Sequence, residues 1–244
     1  MPDLTGLSFS APEEMHTFSA LLFDMDGTII DSTSAIEKYW HGIGAEIGVD
    51  PVTILETSHG RRSIDTLAIL CPKLANWDYI CRAEGAVPKE HGGDAVEIPG
   101  ARALLDALNA SSVPWAIVTS GTRPLVQGWI DVLSLSQPKH LITAEQVERG
   151  KPDPAAYLLG AKRLGMSPSA KSEVLVLEDA PSGIRSGKAA GFHVVALATS
   201  HSVAQLQEAG ADWIVRDMRS VELAGWDAQT GQARIRFRDA LLVR

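Results

Sequence analysis

From Ala20 onward the chain repeats one pattern: a short apolar run that ends in polar residues, then a stretch in which apolar side chains recur at three- and four-residue intervals. That alternation predicts parallel strands joined by crossover helices, with strands over 20–23, 116–118, 141–142, 174–177, 194–197 and 213–215. Helix signals fall between them: Pro124 suits the first turn after the second strand, and Thr143 with Gln146 three residues on resembles a capping box. The fold class is α/β, a doubly wound, Rossmann-like parallel sheet. In such sheets ligands sit at the carboxyl ends of the strands, so the polar residues closing each apolar run converge on one edge.

Between the first and second strands lie about ninety residues, far more than one crossover needs. Within them Ile36, Tyr39, Trp40, Ile43 and Ile47 keep helical spacing, as do Ile64, Leu67, Ala68 and Cys71, and then Trp77, Ile80, Cys81 and Glu84. An α-helical cap over 32–98 is predicted, inserted into a core of 19–31 and 99–244, with hinges near Asp31-Ser32-Thr33 and Ile98-Pro99-Gly100. Residues 1–18 show no periodicity and read as a loose N-terminal extension. After Thr230-Gly231, Ala233, Ile235 and Phe237 alternate with Gln232, Arg234 and Arg236, which predicts a hairpin or edge strand.

With 244 residues, 45% of them apolar, the chain can bury a full core. The formal net charge of −8 argues against nonspecific nucleic-acid binding, and any anion site must be built locally from a metal, a Lys or helix N-termini. Cys71 and Cys81 lack metal-ligand spacing and are expected to be reduced, partly buried thiols. No Lys or Arg precedes Lys38 and no apolar run suffices to span a bilayer, so a cytoplasmic protein without a membrane or nucleic-acid partner is expected.

Candidate chemistry sits at the strand ends. Asp24 and Asp26 flank Met25, so in an extended segment both carboxylates leave the same side of the chain, where they repel unless a cation or proton intervenes. Gly27 permits a sharp turn and Thr28 offers a hydroxyl. Thr119, Ser120 and Gly121 place a hydroxyl and backbone N–H groups at the next strand end. Lys151 lies in Gly150-Lys151-Pro152-Asp153-Pro154, and Glu178-Asp179 close an apolar strand where unpaired carboxylates are costly. Singly, each has an ordinary reading as a cap or a solvated loop charge. In the order acid pair, Thr, Lys, acid pair on successive strand ends, they form a kit for phosphoryl transfer.

With these motifs the sequence resembles the haloacid dehalogenase-like hydrolases from about residue 20 to the C-terminus. His59-Gly60-Arg61-Arg62, Glu97-Ile98-Pro99-Gly100-Ala101, Thr119-Ser120-Gly121-Thr122-Arg123, Gly150-Lys151-Pro152 and Glu178-Asp179-Ala180-Pro181 look like the fungal group of glycerol-phosphate and 2-deoxyglucose-6-phosphate phosphatases. The resemblance implies that Asp24 is the nucleophile, Asp26 the acid/base, and Thr119 and Lys151 the holders of the transferring phosphoryl group. It implies that Mg²⁺ is held by Asp24, the Asp26 main-chain carbonyl and Asp179, helped by Glu178. Substrate contacts are expected from Thr119, Ser120, Gly121 and Lys151 in the core and from His59, Arg61 and Arg62 in the cap, Arg62 before Arg61.

The resulting expectation is a monomeric Mg²⁺-dependent phosphatase of small polyol or sugar phosphates, glycerol phosphate first, acting through a phosphoaspartate. A phosphatase for 2-deoxyglucose 6-phosphate or another sugar phosphate, and a β-phosphoglucomutase-like sugar phosphomutase, are the catalytic alternatives. A non-catalytic binder of phosphometabolites is a further one.

Overall fold

The structure, a computed structural model, describes residues 2–58, 60–167, 169 and 173–242. The chain opens with β1 (Glu14–Phe18), β2 (Ala20–Phe23) and β3 (Ile30–Asp31). Four helices follow, α1 (Thr33–Ile47), α2 (Pro51–Ser58), α3 (Ser63–Leu70) and α4 (Trp77–His91), then β4 (Val96–Glu97). The remainder alternates α5 (Ala101–Ala110), β5 (Trp115–Val118), α6 (Arg123–Val132), β6 (His140–Ile142), α7 (Ala155–Arg163), β7 (Val174–Glu178), α8 (Pro181–Ala190), β8 (His193–Leu197), α9 (Val203–Glu208) and β9 (Trp213–Val215). Two long strands, β10 (Val221–Asp227) and β11 (Gln232–Phe237), close it.

The main sheet has six strands in the order β6-β5-β2-β7-β8-β9, all paired in parallel. Each predicted strand is present, lengthened by at most a residue at either end. Both faces of the sheet are covered, which is why its strands are apolar at consecutive positions. In β2, Leu21 and Phe23 join the core layer on one face and Ala20 and Leu22 the layer on the other. Each such buried Leu or Phe contributes roughly 1.5 to 3 kcal/mol relative to exposure. Because β2 lies between β5 and β7, the order in which strands are added reverses at β2, and the crevice opens at its carboxyl end.

The insertion is helical, and the periodic residues 36–47, 64–71 and 77–84 fall on α1, on α3 with its C-cap, and on α4. Helix α2 carries no clear periodicity and was not predicted. β3 pairs antiparallel with β4, Ile30 facing Glu97 and Asp31 facing Val96, next to the two segments expected as hinges. The pairing holds the chain segments on either side of α1–α4 next to each other.

Residues 1–18 are not a loose extension throughout. β1 pairs antiparallel with β11, which pairs with β10 in a three-stranded sheet. His16 and Phe18 pack against Phe237. The segment Glu-Met-His-Thr-Phe has no alternation of its own; its strand form comes from the edge that β11 offers. The hairpin expected after Thr230-Gly231 is present. The capping box at Thr143 is not: the turn after β6 is a single 3-10 turn, Ala144–Gln146, and Thr143 makes no side-chain cap. Cys71 and Cys81 are free and partly buried. Among the described residues no helix is long and apolar enough to cross a membrane.

Candidate active site

Strand β2 delivers the first acid pair. The Asp24 N–H continues the ladder by donating to the Leu177 carbonyl at 3.0 Å. Met25 then turns inward and is fully buried, which leaves Asp24 and Asp26 on the crevice side. The Met25 carbonyl accepts from the N–H groups of Thr28, Ile29 and Ile30, curling the chain back. Gly27 sits at φ +89°, and a Cβ there would strike the Asp179 carboxylate, so only glycine fits this turn. Ser32, at the entry to the cap, donates to Asp26 Oδ1 at 2.5 Å.

The end of strand β7 supplies a second acid pair, and the loop after β6 the opposing charge. Lys151 Nζ donates to Asp24 Oδ1 at 2.5 Å and to Glu178 Oε1 at 2.7 Å, and lies over the Tyr157 ring. The Tyr157 hydroxyl also donates to Glu178 Oε1, at 2.9 Å. Glu178 Oε2 accepts the N–H groups of Asp179 and Ala180, each at 2.9 Å, at the N-terminus of α8. A Cβ on Gly183 would collide with this carboxylate, so the Gly in Pro181-Ser182-Gly183 makes the room that Glu178 needs. Asp179 accepts Thr28 Oγ1 at 3.2 Å and the Ser200 hydroxyl.

Asp24, Glu178 and Asp179 can bring one oxygen each within 4.8 Å of one another, all buried, with one ammonium among them. Three carboxylates against one Lys leave an excess of negative charge out of water. Burial pushes the Asp24 carboxyl well above its ordinary range; Lys151 opposes this, while Glu178 and Asp179 add to it. Asp179 is pushed up to about 8, first by burial and then by Glu178. Burial likewise raises Asp26, against the bond from Ser32 and the field of Lys151. Burial works against the charge on Lys151, but Asp24 and Glu178 outweigh it and hold its pKa above the ordinary value. A divalent cation would relieve this excess, and an all-oxygen donor set suits a hard one. Glu178 already makes four hydrogen bonds inside the protein, so it holds Lys151 first and would have to exchange a bond to act as a ligand.

Thr119 ends β5 and is buried, its Oγ1 accepting the Gly121 N–H at 3.0 Å, which leaves its own proton for a ligand. Ser120 Oγ is committed to the Gly60 carbonyl at 3.0 Å, tying the core strand end to the cap. The helix expected to open at Ser120-Gly121 begins two residues later, at Arg123. Asp24, Asp26, Thr119, Ser120, Gly121 and Asp179 line one cavity of about 100 Å³, together with Ile36, Tyr39 and Trp40 of α1 and with Ser58, Gly60 and Arg61.

Arg62 requires a correction. It does not line this cavity, and it is only 5% exposed. Its guanidinium pairs with Asp65 and donates to the carbonyls of Ala144, Val147 and Glu148, so it clasps the cap to the loop leading to Lys151. Arg62 is the residue before α3, and the exposed Arg61 beside it lines the cavity. His59 lies outside the described residues. The cavity also takes in residues that the motifs did not mark: Tyr39 and Glu84 from cap helices, and Ser200 and His201 after β8. The last two were open to discovery, since they follow an apolar strand whose end faces the same edge. Tyr39 and Glu84 were visible only as members of helical repeats.

The sequence pattern that defines the haloacid dehalogenase-like hydrolases matches residues 18–191. The chain belongs to this family. Glycerol-1-phosphate phosphohydrolase 2 of Saccharomyces cerevisiae is 40% identical over 233 residues, covering 93% of each chain. Hexitol phosphatase A of Escherichia coli is 40% identical over 190 residues, covering 77% of this chain and 86% of its own. The fold is shared with a hydrolase from Pseudomonas syringae, whose crystal structure superposes with a TM-score of 0.70 at 23% identity over 82% of this chain and 94% of that one. Membership makes the chain an enzyme of a hydrolase family and brings the strand-end residues above into one frame.

Proposed function

We propose that this enzyme is a Mg²⁺-dependent phosphatase of small polyol phosphates, with glycerol phosphate as first substrate and sugar phosphates as the neighbouring class. The observation that carries the reading is Lys151 Nζ seated between Asp24 and Glu178 at the carboxyl end of β2, with Asp24, Asp26 and Asp179 lining one cavity. The two relatives at 40% identity are both named for polyol phosphates, and a cavity of about 100 Å³ suits a substrate of a few carbons. A net charge of −8 supports a small-molecule ester over a nucleic acid. We take 32–98 as the cap that covers the substrate and 19–31 with 99–244 as the catalytic core, acting as a cytosolic monomer.

In this mechanism Asp24 attacks phosphorus through a carboxylate oxygen as the bond to the leaving alkoxide breaks, giving a phosphoaspartate. Asp26 gives its proton to the departing oxygen; burial raises its pKa, the direction that favours an acid in this role. Asp26 then takes a proton from water, whose oxygen attacks phosphorus and returns Asp24 as carboxylate. Lys151 and the Thr119 hydroxyl orient the phosphoryl oxygens and stabilise their charge. Asp24, Asp179 and the Asp26 main-chain carbonyl, with Glu178 beside them, would hold Mg²⁺. When bound, the ion offsets the repulsion between carboxylate and phosphate dianion.

Phosphate release from glycerol 1-phosphate is expected with Mg²⁺, to vanish in EDTA and to return when Mg²⁺ is restored. Isomerised sugar phosphate without free phosphate would mark a mutase instead. No phosphate from any of a panel of polyol and sugar phosphates in Mg²⁺ overturns the proposal.

A further inference from the structure

The roof of the catalytic cavity holds polar groups that the reaction does not use. Glu84 on α4 is 3% exposed and lines the cavity, near enough to Asp26 for that carboxylate to act on it. Its Oε1 accepts Ser63 Oγ at 2.5 Å and its Oε2 accepts the Thr122 N–H at 2.8 Å. A carboxylate has room for about four such bonds, so each oxygen keeps a place for one more. Tyr39 on α1 is 8% exposed and lines the same cavity, with its ring against Trp40. Its hydroxyl stands beside Ser63 and Glu84, and no hydrogen bond of good geometry reaches it.

A role in clasping the cap to the core accounts for the bonds of Glu84 to Ser63 and Thr122. It does not account for Tyr39, since phenylalanine would fill the same space without leaving a buried hydroxyl short of a partner. An unpartnered donor and a carboxylate with spare acceptor places, side by side in a cavity otherwise walled there by Ile36 and Trp40, match the surface of a polyol. Both lie on cap helices, whereas the groups that address the phosphoryl end lie on the core strand ends.

We propose that Tyr39 and Glu84 form the hydroxyl-recognition subsite of this enzyme, Tyr39 donating to a substrate hydroxyl oxygen and Glu84 accepting a substrate hydroxyl proton. The inference rests on the phosphatase reading of the same cavity and adds the residues that select the ester. A site built to bond hydroxyls rejects an analogue without them, because its own polar groups are then left unpaired in the closed complex. The selected class is therefore phosphates of open-chain polyols over phosphates of plain alcohols.

The test compares kcat/KM for glycerol 1-phosphate and for propyl phosphate, which has the same carbon chain and no hydroxyls. The wild type is expected to prefer glycerol 1-phosphate by roughly a hundredfold. Tyr39→Phe and Glu84→Gln are each expected to cut that preference about tenfold, chiefly through KM for glycerol 1-phosphate. A purely structural role would lower both esters together and leave their ratio alone. Tyr39→Phe removes a single oxygen, so an unchanged ratio in that variant overturns the subsite even if Glu84→Gln folds poorly. Equal wild-type rates on both esters overturn the subsite and leave the phosphatase reading standing. No phosphate from either ester, or from the wider panel, overturns both.

Discussion

Replacing Asp24 with asparagine is expected to abolish turnover while the fold survives. The amide keeps the shape of the carboxylate but cannot attack phosphorus, and removal of a group that acts as part of a unit costs on the order of 10⁴- to 10⁶-fold in kcat. Stability should move the other way. Asp24 is buried, with Glu178 and Asp179 adding their charge, and the net environment raises its pKa well above normal. A neutral isostere relieves that cost, while Lys151 retains Glu178 at 2.7 Å. The thermal midpoint of Asp24→Asn in chelator is therefore expected at or above that of the wild type. Activity near the wild-type level would remove Asp24 from the mechanism, and a collapsed midpoint would show that the substitution tests folding rather than chemistry.

Lys151→Met is expected to lose both activity and stability. Lys151 is buried between Asp24 and Glu178, and its loss strips the only ammonium from three buried carboxylates. Removing one partner of a buried ion pair costs about 3 to 5 kcal/mol, because the remaining charge is left uncompensated. Denaturant titration in EDTA at pH 7 measures this loss. The pH dependence has a definite sign. Asp179 already titrates at about 8 in the folded protein, so its folded state holds the proton more tightly than the unfolded chain does. Its contribution to stability is complete below the ordinary carboxylate range and is lost as pH rises through about 8. Without Lys151 the carboxylates hold protons still more tightly, so the deficit of the variant should shrink as pH falls toward 5. A deficit independent of pH would mean that the lost packing of the long side chain over Tyr157, rather than charge, explains it.

Much of this was legible in the sequence because local pattern and global role agree at the sheet. A strand covered on both faces must be apolar at every position, and six short runs therefore announced themselves. The acids, the Thr and the Lys lie directly after those runs, so reading strand ends was enough to assemble the core of the site. Elements whose form is imposed from elsewhere were hidden. Glu14–Phe18 becomes a strand only because β11 presents a free edge more than two hundred residues later. Thr143 fits the spacing of a capping box, but Ala144 instead donates its N–H to Gly121 and the chain makes only one tight turn.

The cap was harder for a related reason. Adjacent residues in a turn point apart, and sequence does not say which of Arg61 and Arg62 faces the cavity. The answer lies in three carbonyls of the 144–148 loop, which approach Arg62 only after cap and core have met. Tyr39 and Glu84 carry a similar ambiguity. Helical spacing identifies them as inward-facing, and only the packed structure shows that inward, at those two positions, means toward the catalytic cavity.

The phosphoryl group is expected to pass through Asp24. Mixing the Mg²⁺-loaded enzyme with glycerol phosphate labelled in the phosphoryl group, quenching in acid within the first turnover and locating the label on the protein tests it most directly. Label is expected as an acyl phosphate on the peptide containing Asp24, formed at least as fast as steady-state turnover, and absent from Asp24→Asn. Asp26→Asn should still carry little label, because its leaving group is not protonated. Full turnover with no labelled protein at any quench time, or label on a residue other than Asp24, would contradict it.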